Sequence, residues 1–315
     1  MKKHIAFIFP GQGSQAVGML DSFAQNVLVQ DTLKEASESL GQDLAQLIHQ
    51  GPAEQLALTE NTQPVMLTAA IAIYRAWIAA GGPIPKILAG HSLGEYSAYV
   101  VAKSLRFADA VPLVRFRAQA MQEAVPVGSG GMAAIVGLDD AAVIRLCQEA
   151  ASVSGSVVEA VNFNAPSQVV IAGSKSGVET ACAMAKPAGA KMAVPLAVSA
   201  PFHSSLLQPA AIRLQEYLGG IELSTPQIEV INNVDVSILS DSVAIKEALT
   251  RQAYAPVRWV QIIQLMVEQG VTHIVECGPG KVLAGMVKRI DSQVRILGIS
   301  SPESITQVLG ELQEH

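Results

Sequence analysis

Basic residues are the scarcer charge: 21 Lys and Arg against 27 Asp and Glu leave a net charge of -6. A phosphate backbone selects for the opposite balance, so nucleic acid is not an expected partner. Cysteine is scarce as well. Cys147, Cys182 and Cys277 lie far apart with no Cys-x-x-Cys or Cys/His spacing, which leaves no metal site and no disulfide framework to expect. They read as small buried hydrophobes of a reducing compartment, and the expected location is cytoplasmic. Long apolar runs are missing too. The apolar residues 4–9 are too few for a secretory signal and run into Pro10-Gly11-Gln12-Gly13 with no cleavage pattern, and residues 64–80 are interrupted by Arg75, so no membrane span is expected. What the chain does have is apolar bulk: half of its 315 residues are hydrophobic, which suits a buried parallel sheet covered by helices on both faces. One large domain and one smaller domain are the natural division.

The pivotal stretch is Ile87-Leu88-Ala89-Gly90-His91-Ser92-Leu93-Gly94-Glu95, where an apolar run stops at Gly-x-Ser-x-Gly and a small-residue helix begins. This is the pattern of a nucleophile elbow, although the pentapeptide alone also occurs in ordinary loops. In an elbow, Gly90 and Gly94 are small because strand and helix nearly touch, and the amide of Leu93 points toward the hydroxyl of Ser92 at a helix N-terminus that favours negative charge.

Residues 4–9 read as a strand feeding Gly11-Gln12-Gly13-Ser14-Gln15. That loop admits three readings: a dinucleotide fingerprint, disfavoured because Gly18 follows Gly13 too late; a plain turn; or a loop that brings the Gln12 amide over the serine as a second oxyanion donor. A buried helix is expected over 62–80 with Gln63 at its N-terminus, where it caps or solvates the helix or faces substrate. Residues 107–124 read as a helix whose stripe Ala110, Leu113, Arg117, Ala120, Met121 and Ala124 is apolar except at Arg117. A guanidinium on a buried stripe calls for an anion, a salt bridge or several carbonyls, whereas Arg115 is expected on a solvated face with Gln119 and Gln122.

From 132 to 194 the order reads strand, helix, strand, strand, helix, strand, the order of a ferredoxin-like unit. It is expected as an insertion, residues 127–195, in a large domain formed by 1–126 and 196–315. Residues 162–166 (Asn-Phe-Asn-Ala-Pro) are expected as the loop between its middle strands, with Asn162 a turn former or a cleft residue. Of six histidines, His203 in Ser199-Ala200-Pro201-Phe202-His203-Ser204-Ser205 stands in a loop just before a helix and follows the serine in the order expected of a Ser/His pair. His91 is next to Ser92, where a sharp turn aims the two side chains apart. Gly278-Pro279-Gly280 reads as a strand-to-helix corner, and Lys281, Lys288 and Arg289 as either a solvated face or a patch for an acidic partner.

Taken together, Phe9-Pro10-Gly11-Gln12-Gly13-Ser14-Gln15, Gly90-His91-Ser92-Leu93-Gly94-Glu95, Phe116-Arg117 with Met121-Gln122, Pro201-Phe202-His203-Ser204 and Glu276-Cys277-Gly278-Pro279-Gly280-Lys281 resemble the malonyl-CoA:acyl carrier protein transacylases of bacterial fatty-acid synthesis. The resemblance implies an α/β fold, an α/β-hydrolase-like large domain carrying a ferredoxin-like insertion. It implies Ser92 as nucleophile, His203 as base, the amides of Gln12 and Leu93 as oxyanion hole, and Arg117 as the clamp for the free malonyl carboxylate. The main-chain carbonyl of Gln252 takes the place of an acidic residue behind His203, Phe202 disfavours a branched acyl group, and Gln63 and Asn162 are carried as substrate-binding candidates. Malonyl-CoA and an acyl carrier protein are the implied partners, with no cofactor or metal, and a monomer is expected. A polyketide malonyltransferase, a serine thioesterase or hydrolase, and an idle carrier-binding subunit are the rival readings.

Overall fold

The computed structural model describes residues 3–198 and 200–313; Met1, Lys2, Ser199, Glu314 and His315 lie outside the described residues. Two sheets organise the chain. The first has five parallel strands in the order β7-β2-β1-β8-β9, built from β1 (Ile5–Phe9), β2 (Ile87–Gly90), β7 (Glu229–Ile231), β8 (His273–Cys277) and β9 (Arg295–Ile299). The second has the order β4-β5-β3-β6, all antiparallel, from β3 (Gly130–Val136), β4 (Val158–Ala165), β5 (Gln168–Ser174) and β6 (Met192–Pro195).

The sequence accounts for the contrast. β1 and β2 are apolar at every position and buried on both faces, as central parallel strands must be. In β3 and β5 burial follows the two-residue period: Ala133, Ile135, Val169 and Ile171 pack against the helices Asp140–Ser154 and Lys175–Ala185. Met132, Val170 and Ala172 face the other way with Val161, and Phe202 packs against them. Asp139 starts the first of these helices by accepting the Ala142 N–H, and Gly155, at φ 63°, ends it.

Three expectations need correction. Residues 162–165 are not a loop: they continue β4, because Phe163 N–H donates to Val257 O (3.0 Å) and Val257 N–H to Val161 O (2.9 Å), so the strand finds backbone partners in the segment ahead of the helix Trp259–Glu268. The turn is confined to Pro166 and Ser167. The helix expected over 62–80 begins three residues earlier, at Thr59, which moves Gln63 from the helix end into its second turn and removes any capping role. Arg115 is half-buried and not on an open solvated face; it donates to Glu60 O and to the side chains of Gln42 and Asn61, which partly cover it. Edge strand β9 and the final helix Pro302–Gln313 were not foreseen at all. No helix among the described residues is long and apolar enough to cross a membrane.

Candidate active site

β2 ends at Gly90 and the next helix begins at Gly94, so three residues make the turn. Ser92 at its tip has φ 52°, a left-handed conformation that L side chains avoid. The two glycines are sterically required. A Cβ on Gly90 would lie 1.8 Å from the carbonyl carbon of Gly94, and one on Gly94 would lie 2.1 Å from Phe9 O. The strained turn is braced from behind by Asn233, just past β7: its Oδ1 accepts Ser92 N–H (2.8 Å) and its Nδ2 donates to Gly90 O (2.7 Å).

The sequence places His203 far from Ser92; the fold brings them together. His203 Nε2 is 2.8 Å from Ser92 Oγ, and its Nδ1 is 2.7 Å from Gln252 O. A carbonyl only accepts, so Nδ1 carries the proton and Nε2 presents a lone pair to the serine hydroxyl. His203 also has positive φ, 66°. Burial, and then the positive charge of Arg117, push its pKa down to about 3, so the ring is a neutral base across the physiological range.

Arg117 comes from the helix Phe107–Glu123 and is buried on the apolar stripe. Nη1 donates to Gln63 Oε1 (2.8 Å), Nη2 to Gln252 Oε1 (2.9 Å) and to Ser92 Oγ (3.2 Å), and the guanidinium lies 5.3 Å from the centre of the Tyr96 ring. It forms no ion pair with a carboxylate among the described residues, and its Nε has no partner there. Among the described residues it therefore makes no structural salt bridge, one of the readings open from the sequence. Burial lowers the Arg117 pKa from its ordinary value, against the pull of Tyr96 and Glu95.

A cleft of about 430 Å³ opens over these groups, lined among others by Gln12, Leu93, Asn162, Asn164, Phe202 and Met286. The backbone N–H groups of Gln12 and Leu93 have no acceptor among the described residues. Asn162 is buried at the junction of β4 with Val257, and Phe202 is half-buried beside the histidine. His91 lines the same cleft and shares a 2.7 Å hydrogen bond with Asn164 Oδ1 of β4. Among the described residues no group of three His, Cys, Asp or Glu side chains gathers as metal ligands.

Sequence reasoning missed three contributors. Asn233 is one; an Asn pair just past a parallel strand, at the sheet edge where ligands bind, was the available signal. Glu95 is another: it is 1% exposed, and its Oε2 accepts from Gln252 Nε2 (2.7 Å) and Asn233 N (3.1 Å), while Oε1 has no partner among the described residues. Burial raises its pKa to about 7, against the pull of those hydrogen bonds and of Arg117. A lone carboxylate inside Gly94–Val101, an otherwise uncharged helix, was the signal. The third is the Gln252 side chain, which reaches Arg117, Glu95 and Ser92 O at once.

An activated alcohol with a fixed cation beside it can take up an acyl group that itself ends in an anion. Comparison with known proteins agrees with that chemistry. Residues 6–314 match the model of the acyl transferase domain. The malonyl CoA-acyl carrier protein transacylase of Salmonella typhimurium is 52% identical over 96% of this chain and 98% of its own, and that of Bacillus subtilis 44% identical over 98% of each. The crystal structure of an acyl-carrier-protein S-malonyltransferase from Burkholderia pseudomallei superposes with a TM-score of 0.96 at 61% identity, covering 98% of this chain and 99% of that one. A malonyl-transacylase solved in complex with a type II PKS acyl-carrier protein superposes with a TM-score of 0.96 at 48% identity, covering 98% and 100%. With relatives this similar along the whole length, the chain belongs to the acyl transferase family, among the malonyl CoA-acyl carrier protein transacylases.

Proposed function

We propose that this chain transfers the malonyl group of malonyl-CoA to the phosphopantetheine thiol of an acyl carrier protein in fatty-acid assembly, through a malonyl ester on Ser92. The observation that carries the reading is Arg117: a buried guanidinium with no carboxylate partner among the described residues, 3.2 Å from Ser92 Oγ. A planar two-pronged cation suits a carboxylate, and a simple esterase has no use for one.

Ser92 passes its proton to His203 Nε2 as its oxygen attacks the thioester carbonyl. The N–H groups of Gln12 and Leu93 receive the oxyanion, the carbon–sulfur bond breaks, and the coenzyme A sulfur leaves with the proton from His203. The carrier thiol then repeats the sequence in reverse on the ester, and Ser92 regains its proton. Gln252 O holds the tautomer throughout. A substrate carboxylate on Arg117 also offsets one of the three influences that depress His203, so a malonyl group makes its own base stronger where an acetyl group does not.

The cleft has two walls in this reading, a large domain of residues 1–126 and 196–315 and an inserted domain of 127–195, with Asn162 and Phe202 facing the acyl group and Gln63 holding Arg117. Phe202 bulk disfavours a methyl branch by about 1–3 kcal/mol. The free cysteines support a reducing, cytoplasmic setting.

Incubation with malonyl-CoA followed by mass spectrometry is expected to find one malonyl increment on the Ser92 peptide; folded protein without it would be an idle subunit. Arg117→Ala is expected to lower malonyl transfer by about 2–4 kcal/mol while acetyl transfer is kept or improved. Equal losses on both acyl groups would sink the clamp and favour a plain hydrolase. The matched transacylase seen with a type II PKS carrier supports a second reading, a polyketide carrier as acceptor, and rates with both carrier types would separate the two.

A further inference from the structure

Gln252 has an amide with two unlike ends, and which end meets Arg117 decides whether the clamp exists. Its Oε1 accepts from Arg117 Nη2, while its Nε2 lies 2.9 Å from Ser92 O, 2.7 Å from Glu95 Oε2 and 3.4 Å from Asn233 Oδ1. Of those three acceptors only Glu95 is a carboxylate, and it makes the shortest contact. A flipped amide would turn its NH2 toward the guanidinium and its oxygen toward the carboxylate, so both ends would be repelled.

We propose that Glu95 is a positioning residue for acyl-group selection: it holds the Gln252 amide in the orientation that fixes Arg117 for a carboxylated acyl group. The placement matters as much as the charge. A carboxylate paired directly with Arg117 would occupy the prongs that the substrate needs. Set one amide away, Glu95 leaves only neutral acceptors, the amide oxygens of Gln63 and Gln252 and the Ser92 hydroxyl, on the guanidinium. A substrate carboxylate then outcompetes weak acceptors instead of a resident anion. Glu95 touches neither substrate nor reacting atoms; it acts through Gln252.

This inference rests on the malonyl reading, and its test separates the two. Glu95→Ala and Glu95→Gln are to be compared with the unaltered protein in three measurements: the rate at which phenylmethylsulfonyl fluoride labels Ser92, and kcat and KM with malonyl-CoA and with acetyl-CoA. Loss of a charge-assisted acceptor is expected to raise the malonyl-CoA KM about tenfold in Glu95→Ala and about threefold in Glu95→Gln, which keeps one acceptor oxygen. Labelling and the acetyl-CoA constants are expected to move by less than about twofold, because neither places a carboxylate on Arg117 and Ser92 Oγ keeps His203 as its base. If Glu95→Ala fails to fold, the Gln variant decides by the same selectivity. Parallel losses in labelling, acetyl and malonyl reactions would mean that Glu95 only braces Asn233 and the elbow, and would overturn the proposal alone, as would malonyl constants unchanged in both variants. Absence of any malonyl ester on Ser92 in the unaltered protein would overturn the underlying reading and this proposal with it.

Discussion

The parallel sheet and the antiparallel sheet meet at one cleft but carry very different amounts of strain. On the parallel side, Ser92 and His203 both have positive φ, and Glu95, Tyr96, Tyr99 and Arg117 all hold buried polar atoms without partners among the described residues. Between residues 130 and 195 the one described non-glycine residue with positive φ is Ser167 in the β4–β5 turn, and no described side chain holds such an orphaned atom. The difference follows from geometry. Parallel strands end together, so their carboxyl edge gathers loops, helix N-termini and buried polar groups in one place, whereas an antiparallel sheet distributes its ends. One wall stores strain for chemistry; the other is a largely apolar surface whose register slips only along β4, between Ala160 and Asn162 and between Phe163 and Ala165, where its asparagines stand.

The largest test of that contrast is a matched pair of glycines. Gly90→Ala is expected to destabilise by about 3–5 kcal/mol or to prevent folding, because the new Cβ meets backbone at 1.8 Å that the helix start cannot yield. Gly131→Ala in β3 meets nothing closer than Val178 Cβ at 3.9 Å, so a change within about 1 kcal/mol is expected there. Urea midpoints of both variants measure the difference. Similar losses would show that the second sheet is as tightly determined as the elbow.

A smaller effect comes from how each side starts its helices. Asp139 caps the small sheet's helix from an exposed position, but the helix Val282–Ile290 is capped from β8 by Glu276, whose carboxylate accepts from Leu283 N (3.1 Å) and Ala284 N (2.7 Å) while 1% exposed. Burial outweighs those two donors and raises the Glu276 pKa to about 7. A carboxyl with a raised folded-state pKa favours the folded protein when protonated. Its contribution is complete below the unfolded value near 4.5 and is lost as pH climbs through 7. Over that window the unaltered protein is expected to lose about 2–3 kcal/mol that Glu276→Gln does not lose. The stability difference between them should therefore shift in the variant's favour from pH 5 to pH 8. An unchanged difference would remove burial from the account of this cap.

How much of this was legible follows from how local each feature is. The elbow, the odd arginine of the helix stripe and the six-element order of the small sheet are written in neighbouring residues or short periods, and each was readable. The capping reading of Gln63 and the solvated reading of Arg115 fail because their faces are judged from the helix alone, while the partners they meet, Arg117 for one and Gln42 with Asn61 for the other, come from remote segments. Asn162 looked like a turn former because the backbone partner that keeps it in a strand, Val257, is nearly a hundred positions away. Glu95 and Asn233 carry obligations to each other that no window of sequence contains.

Asn164 supplies the smallest and sharpest test, since its side chain reaches from the quiet wall to the residue beside the nucleophile. Its Oδ1 lies 2.7 Å from His91 Nε2, and the imidazole packs edge-on against Trp259 with ring centres 5.4 Å apart. Asn164→Ala leaves that ring nitrogen without a protein partner and is expected to lower stability by about 1 kcal/mol, read as a shift in urea midpoint. His91 makes no hydrogen bond to Ser92 Oγ, which is held by His203 and Arg117, so labelling of Ser92 and malonyl transfer are expected to stay within about threefold of the unaltered protein. The size of the effect matters less than where it falls. If transfer drops more than tenfold while the midpoint holds, β4 takes part in the chemistry, and the division between a wall that reacts and a wall that encloses is wrong.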